Sequence, residues 1–397
     1  MRNYSRAVNV ALLALVLGVA PIAATGVQEE DQVSPGAEVT VEALLHGAGE
    51  VTEASAHASG FRVFTVDSLT LLQVTRPWPA AGESDMLTYV LYDRDDQRPN
   101  VTGASLVIPT PVESVVTMST TFLAHLEALE QLDSLDAVDN LAFAYSERVR
   151  ELSGELAQVG SGPSVDTEQL VAIDPDAILV NSFGGDWDSQ PTLEAAGLPA
   201  VVLGDWVETT PLGRANWLVF TAYLYGEEAS AIARMNRLAD NYNRLAELGR
   251  SAEEKPTVLI NAPFQGTWSI AGGGSYAATF IRDAGGNYVY GNDTSTGALF
   301  FDLESVYAEA GEADVWINTG TWGSLAQAEA EDERYADFAA FASGRLFNNN
   351  QRMSAAGGND YFESGAINPD VVLADLIKIF HPDLLPDHEL FYYQQLQ

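Results

Sequence analysis

The sequence contains no cysteine, which rules out disulfides and thiolate metal sites and leaves no residue for a thioether-linked lipid, so no lipid anchor is expected. Lysine is almost missing too, with Lys255 and Lys378 the only two. Nineteen basic residues stand against 56 acidic ones, for a formal charge of −37, so phosphate backbones are repelled and nucleic acid is not expected as a partner. The five histidines are scattered: His46 and His57 near the start, His381 and His388 near the end, and His125 alone in mid-chain, where it reads as a helix-surface or capping residue. Direct binding of a zinc-type ion therefore lacks its usual imidazole cluster. Nucleophile elbows, phosphate-binding lysine motifs and H-E-x-x-H are likewise missing, so neither catalysis nor a cofactor is expected.

What is present begins with Arg2 and Arg6 ahead of an apolar run from Val8 to Val19, then Pro21 and the small residues Ala23, Ala24 and Thr25. That is the grammar of a signal peptide over residues 1–24, cleaved near residue 24. The run is too short to span a bilayer comfortably and no second run of about 20 apolar residues follows, so the mature chain is read as exported, periplasmic or extracytoplasmic, and soluble. Residues 25–60, rich in Glu, Gly, Ala and Ser, read as a flexible acidic leader. The acids are spread along the chain instead of forming one tail, a pattern suited to a medium where salt screens their repulsion.

With 47% hydrophobic residues in 397, the chain is long enough for two cores. Apolar runs at Phe61–Val66, Leu69–Val74, Met86–Tyr92 and Ala104–Ile108 read as strands, in hairpins. Beyond them strands Val115–Met118, Asn140–Ala144, Ala177–Asn181 and Ala200–Leu203 alternate with helices, which means a mostly parallel α/β sheet. The same grammar restarts after Pro256, with strands Thr257–Asn261, Asn287–Tyr290, Asp314–Asn318 and Arg345–Asn348. Between lies a charged helix with Ile232, Met235, Leu238, Tyr242 and Leu245 at helical spacing, long enough to bridge two lobes. The expected organisation is a lobe over 61–226, a bridging helix over 227–250 and a second lobe over 251–397. A weak repeat relates the lobes: EQLVAIDPDAILVNSFGG from Glu168 matches ESVYAEAGEADVWINTGTW from Glu304, each a helix opening on Glu and a strand ending at Asn181 or Asn318. Ligands of parallel sheets sit at the carboxyl ends of strands, so the two loops should face each other across a cleft.

VVTMSTTFLAHLEAL, DTEQLVAIDPDAILV, PLGRANW, GGGSYAATFIRDAGG, LESVYAEAGEADVWIN and YADFAAFASGRLFNNN, in this order, resemble the periplasmic binding proteins for iron-siderophores, haem and cobalamin. The resemblance runs from about Ile108 to Phe391. It implies two Rossmann-like α/β lobes joined by one long helix, and the solute-binding role in an ABC importer. The implied ligand is a ferric siderophore, or alternatively cobalamin or haem. The partners would be a membrane permease and its ATPase, met by a single copy of the chain. It further implies that one glutamate on each lobe docks against the permease; the matching positions are Glu168 and Glu304. The strand-rich stretch 61–109 departs from the family's short N-terminal lead and reads as an extra hairpin on the first lobe.

A partly apolar chelate needs aromatic faces with a few polar groups to orient it. The first lobe offers Ser119 and Thr120 at a helix start, Tyr145, Phe183 and Trp187 in NSFGGDW, and Trp206 in GDW. The second offers Phe264 and Trp268 in NAPFQGTW, Tyr276, and Trp322 in NTGTW. Each aromatic can equally be a core anchor. Arg214 and Arg352 are candidates for an anionic ligand, with a carboxylate partner as the alternative in so acidic a chain.

Overall fold

The computed structural model describes residues 38–397 apart from Asp186; the expected signal peptide, and residues 25–37 of the expected leader, lie outside the described residues. Two parallel sheets dominate. The first runs, in spatial order, Ala157–Gln158, Leu135–Val138, Val115–Thr117, Ala177–Val180 and Ala200–Val202. The second runs Asn287–Tyr288, Thr257–Ile260, Val315–Ile317 and Leu346–Asn348, with Gln394–Gln395 added antiparallel at the edge. Setting aside Ala157–Gln158 in the first sheet and Gln394–Gln395 in the second, both sheets follow one order: second, first, third, fourth along the chain. Each therefore changes direction between its first and third strands, and the repeat read in the sequence falls on the third strand of each.

Helix Glu228–Arg250 joins the lobes over 23 residues, about 35 Å. Ala231, Met235 and Leu238 on its first half belong to the first lobe's core, and Tyr242, Leu245 and Ala246 on its second half to the other lobe's. Continuous backbone bonding makes it a rod rather than a linker. A second crossing is made by residues 352–367, which follow the last parallel strand yet lie on the first lobe. There the Glu363 carboxylate accepts the backbone N–H groups of Tyr145 and Ser146 at 2.7 and 2.8 Å, and Thr121 Oγ1 donates to the Phe362 carbonyl at 3.1 Å.

Three expectations change. Residues 38–60 are not a loose leader: helix Val41–Gly47 is capped by Thr40 and buries Leu44, and Gly49–Glu50 pairs with the strand Phe61–Val66. The strand expected at Asn140–Ala144 is Leu135–Val138, because the Asn140 side chain accepts the Ala142 N–H and turns Leu141–Phe143 into a single helical turn. The extra hairpin is a five-stranded sheet: Gly49–Glu50, Phe61–Val66, Leu69–Val74 and Leu87–Asp93 pair antiparallel in turn, and Leu106–Thr110 joins the last in parallel.

Period-two alternation gives this sheet two buried faces. Phe61, Val63, Leu72, Val74, Tyr89 and Leu91 merge with the first lobe's core, where Phe61 meets Trp217 edge-on at 4.9 Å. Leu69, Leu71 and Val90 pack with Leu44 on the other side. The Val202 N–H donates to Tyr89 Oη at 2.8 Å, so the sheet also covers the first lobe's outer strand. Glu208 fixes the join: its buried carboxylate accepts from Ser59 N, Ser59 Oγ, Gly60 N and Trp217 Nε1.

Candidate functional site: a cleft at the strand ends of both lobes

At the carboxyl ends of the first and third strands of each sheet the chain leaves regular structure. Met118, Ser119 and Thr120 follow one such strand, and Asn181 and Phe183 another; their counterparts in the second lobe are Asn261 and Ala262, and Asn318, Gly320 and Thr321. The positions where the strand order reverses are where open α/β sheets bind ligands. Two cavities occupy this place. One, of about 890 Å³, lies mostly against the first lobe; the other, of about 710 Å³, lies mostly against the second. Gly320, Thr321 and Phe362 line both, which makes them one cleft between the lobes.

Local geometry explains the shape. Asn261 and Asn318 both take left-handed backbone conformations, φ 63° and 59°, which asparagine tolerates better than most residues and which turn the chain sharply out of the sheet. In the first lobe the Asp188 carboxylate gathers the N–H groups of Phe183 and Gly184 and the Ser182 hydroxyl, folding the NSFGGDW loop around one buried acid. That loop leaves Phe183 at 63% and Trp187 at 84% exposure on the wall of the larger cavity, an unusual expense of apolar surface unless something covers it. Phe143, Met353 and Phe362 present further exposed apolar side chains to the same cavity. Amides and hydroxyls fill the spaces between: Asn181, Asn350 and Asn359 in one half, Asn261, Asn318 and Asn349 in the other.

Of the residues expected to touch ligand, Ser119, Thr120, Phe183 and Trp187 line the first cavity, and Trp206 and Tyr276 the second. The others lie elsewhere. Trp268 is fully buried, stacked 5.2 Å from Trp316 with its N–H donated to the Ile260 carbonyl; it is a core anchor of the second lobe. Trp322 is 3% exposed, packs on Trp316 and Tyr335, and donates to Glu331 at 2.7 Å. Phe264 is exposed, but on the tip of the hairpin Pro263–Phe264/Thr267–Ala271, outside both cavities. Both arginines take the carboxylate partner that so acidic a chain supplies. Arg214 is paired with Asp205 at 3.4 Å and stacked on Tyr276; Arg352 is paired with Asp360 at 2.6 Å and sandwiched between Tyr145 and Phe391. Tyr145 is thereby committed to the inter-lobe strap instead of the cleft.

Sequence reasoning missed Asp139, Phe143, Arg76 and Phe362, each on the cleft wall. Phe362 lies in GGNDYFES, shortly after Arg352; Arg76 lies in a loop of the N-terminal sheet, far in sequence from the strands of the two parallel sheets. Burial raises the Asp139 carboxyl above its ordinary range. His125 is not on a helix surface: it is fully buried, with Nδ1 2.8 Å from Thr221 Oγ1, and burial lowers its pKa to about 3, so it stays neutral. Among the described residues no group of three or more His, Cys, Asp or Glu side chains could hold a metal ion, and no helix is long and apolar enough to cross a membrane.

Glu168 and Glu304 are both exposed in the first turn of the helix preceding the third strand of their sheet, Thr167–Ile173 and Leu303–Ala310. Each helix is capped by an aspartate, Asp166 or Asp302, accepting the N–H three residues on. The two differ in that Glu304 is paired with Arg334 at 2.7 Å.

The chain resembles two uncharacterised lipoproteins of Methanocaldococcus jannaschii. One is 25% identical over 312 residues, 74% of this chain and 72% of the relative; the other is 25% identical over 333 residues, 78% and 80%. Among solved structures, a periplasmic haem-binding protein from Roseiflexus sp. RS-1 matches with TM-score 0.54 at 18% identity, over 68% of this chain and 99% of that one. An ABC transporter substrate-binding protein from Listeria monocytogenes EGD-e matches with TM-score 0.52 at 16% identity, over 68% and 99%. The molybdate-bound periplasmic binding protein from Haemophilus influenzae matches with TM-score 0.55 at 17% identity, over 72% and 90%. Residues 115–351 match the periplasmic binding protein family, and with its two α/β lobes, single bridging helix and cleft at the strand ends, this chain belongs to that family.

Proposed function

We propose that this chain is the solute-binding component of an ABC importer and that its solute is a large organic metal chelate, a ferric siderophore before the alternatives. The observation that carries this is the continuity of the two cavities, about 890 and 710 Å³, lined by exposed aromatics and side-chain amides. A bare ion or small oxyanion is held by a compact shell of charged or polar ligands, whereas a molecule of several hundred Å³ with apolar faces and peripheral oxygens matches this lining. Haem or a corrinoid is the second reading. It is favoured by the phenol of Tyr276 on the cleft wall, an oxygen of the kind ferric iron accepts, and by the structural likeness to haem-binding proteins such as that from Roseiflexus.

In this reading the chain is exported and free outside the cytoplasmic membrane, captures the chelate between its lobes, and presents Glu168 and Glu304 to the permease. Its charge of −37 suits a saline surrounding, and dialysis from molar to millimolar salt should unfold it; a circular-dichroism signal indifferent to salt would remove that part of the reading.

The test is a tryptophan-fluorescence titration of the mature protein in high salt with a ferric trihydroxamate, a ferric tricatecholate, haemin and cyanocobalamin, corrected for ligand absorption and repeated with iron-free chelators. Trp187 and Trp206 on the cleft wall should report binding by saturable quenching at micromolar or tighter affinity. Silence from all four probes would reject the chelate reading.

A further inference from the structure

The segment that matches the family begins at Val115, yet one wall of the cleft is built by residues before it. The loop after strand Leu69–Val74 reads Thr75-Arg76-Pro77-Trp78-Pro79, and Arg76 and Pro79 line the second cavity. The loop is seated against both glycine-bearing strand-end loops of the first lobe. A Cβ on Gly184 would come within 2.6 Å of the Trp78 ring, and one on Gly204 within 2.7 Å of the Arg76 carbonyl oxygen. Glycine at those places is what lets the loop approach. Thr75 fixes its near end through N–H to the Gly60 carbonyl at 2.8 Å, and Arg76 Nη2 donates to the Val207 carbonyl at 2.9 Å. The two prolines restrict the backbone between these anchors.

Among the described residues, Arg76 is the single cationic side chain lining either cavity. Unlike Arg214 and Arg352, it has no carboxylate within 4.0 Å among the described residues, in a chain where acids outnumber bases 56 to 19. Its Nε is buried without a hydrogen-bond partner, and so is Nε1 of Trp206, which lines the same cavity. Two unanswered donors at one wall are a deficit that an oxygen acceptor would remove. The nearby acids are already answered: Glu208 by four donors around Ser59, Gly60 and Trp217, and Asp188 by the loop that it folds.

We propose that the N-terminal sheet is part of the ligand site, and that Arg76, carried into the cleft on its loop, selects a chelate with an anionic oxygen on that side. The inference rests on the chelate reading above and narrows it, from chelates in general to anionic ones such as a ferric tricatecholate or the propionates of haemin. A neutral ferric trihydroxamate or cyanocobalamin lacks the matching charge. A guanidinium presents parallel N–H donors to a carboxylate or catecholate edge.

The test uses the same four chelates in high salt on wild type, Arg76→Gln and Arg76→Lys, with thermal melts to check folding. Wild type should prefer an anionic chelate; Arg76→Gln should weaken that binding at least about tenfold, with Arg76→Lys between the two. Haemin against its dimethyl ester on wild type alone covers the case in which a variant does not fold: the ester should bind at least about tenfold more weakly. Equal binding by wild type and Arg76→Gln, equal binding of haemin and its ester, or preference for a neutral chelate overturns the role of Arg76 and leaves the chelate reading standing. If wild type takes none of the four, the chelate reading fails and this inference falls with it.

Discussion

The two lobes repeat one strand order but place the tryptophans of their glycine-bearing loops oppositely. In the first lobe Trp187 and Trp206, on loops after strands, lie on the cleft wall, and Phe183 packs on Trp206 at 4.8 Å. In the second, Trp268, Trp316 and Trp322 stack with Tyr335 and Phe338 into one buried cluster. The flanking sequences look alike, GGDW and GDW against QGTW and TGTW. The difference is what covers each loop. Strands Pro263–Phe264, Thr267–Ala271 and Ala298–Phe301 form a small antiparallel sheet that carries Trp268 inward, while in the first lobe the N-terminal sheet stops at the cleft edge and leaves the ring faces open. An aromatic beside glycine is thus a statement about a loop, and its partner decides whether it is core or site.

The largest effect that would break this contrast is on stability. Trp268→Ala should destabilise the fold by about 3–5 kcal/mol in urea unfolding, as expected for emptying a buried ring site. If Trp268→Ala instead left stability unchanged and abolished chelate quenching, the assignment of this residue to the core would be wrong.

The next effect concerns how the lobes are held. Burial pushes the Glu363 carboxyl from its ordinary 4.5 up to about 7, with the charges of Asp360 and Glu127 adding to the rise and the N–H groups of Tyr145 and Ser146 opposing it. Arg352, which packs over the Tyr145 ring, is occupied by Asp360. The folded chain binds this proton more tightly than the unfolded chain, so the contribution is fully present below about pH 4.5 and is lost as pH rises through about 7. Its size is at most about 3 kcal/mol. Glu363→Gln should flatten the difference in stability between pH 4.5 and 8 relative to wild type; parallel pH curves for the two would show that Glu363 does not titrate in this window.

A smaller change tests the glycine seats. Gly204→Ala should move the Arg76 loop by forcing a Cβ against its backbone, lowering stability by about 1–3 kcal/mol and weakening chelate binding along with it. Unaltered affinity in a folded variant would detach the loop from ligand binding.

The smallest effects on the fold belong to the surface. Trp187→Ala should alter stability by no more than about 0.5 kcal/mol while reducing chelate affinity. Glu168→Ala and Glu304→Ala should likewise leave folding near wild type, Glu304 losing only its exposed pair with Arg334, and leave chelate binding intact while lowering transport in reconstituted vesicles. Full uptake by the double variant would remove the docking role.

The sequence by itself determined the elements and their order. Alternation placed Phe61–Val66 and Leu69–Val74 where the strands are, apolar runs marked the parallel strands apart from Leu135–Val138, and the heptad-like stripe from Ile232 to Leu245 marked the bridging helix. These are local, periodic signals, set by which side of a strand or helix is buried. It also determined the repeat, hence the two faces that meet. Tertiary structure alone decided which aromatics are open, which arginine lines the cleft, and that the N-terminal sheet reaches it. Those outcomes depend on contacts between residues distant in sequence, such as Gly204 with Arg76 and Trp268 with Trp316, and no periodicity in either segment encodes its partner.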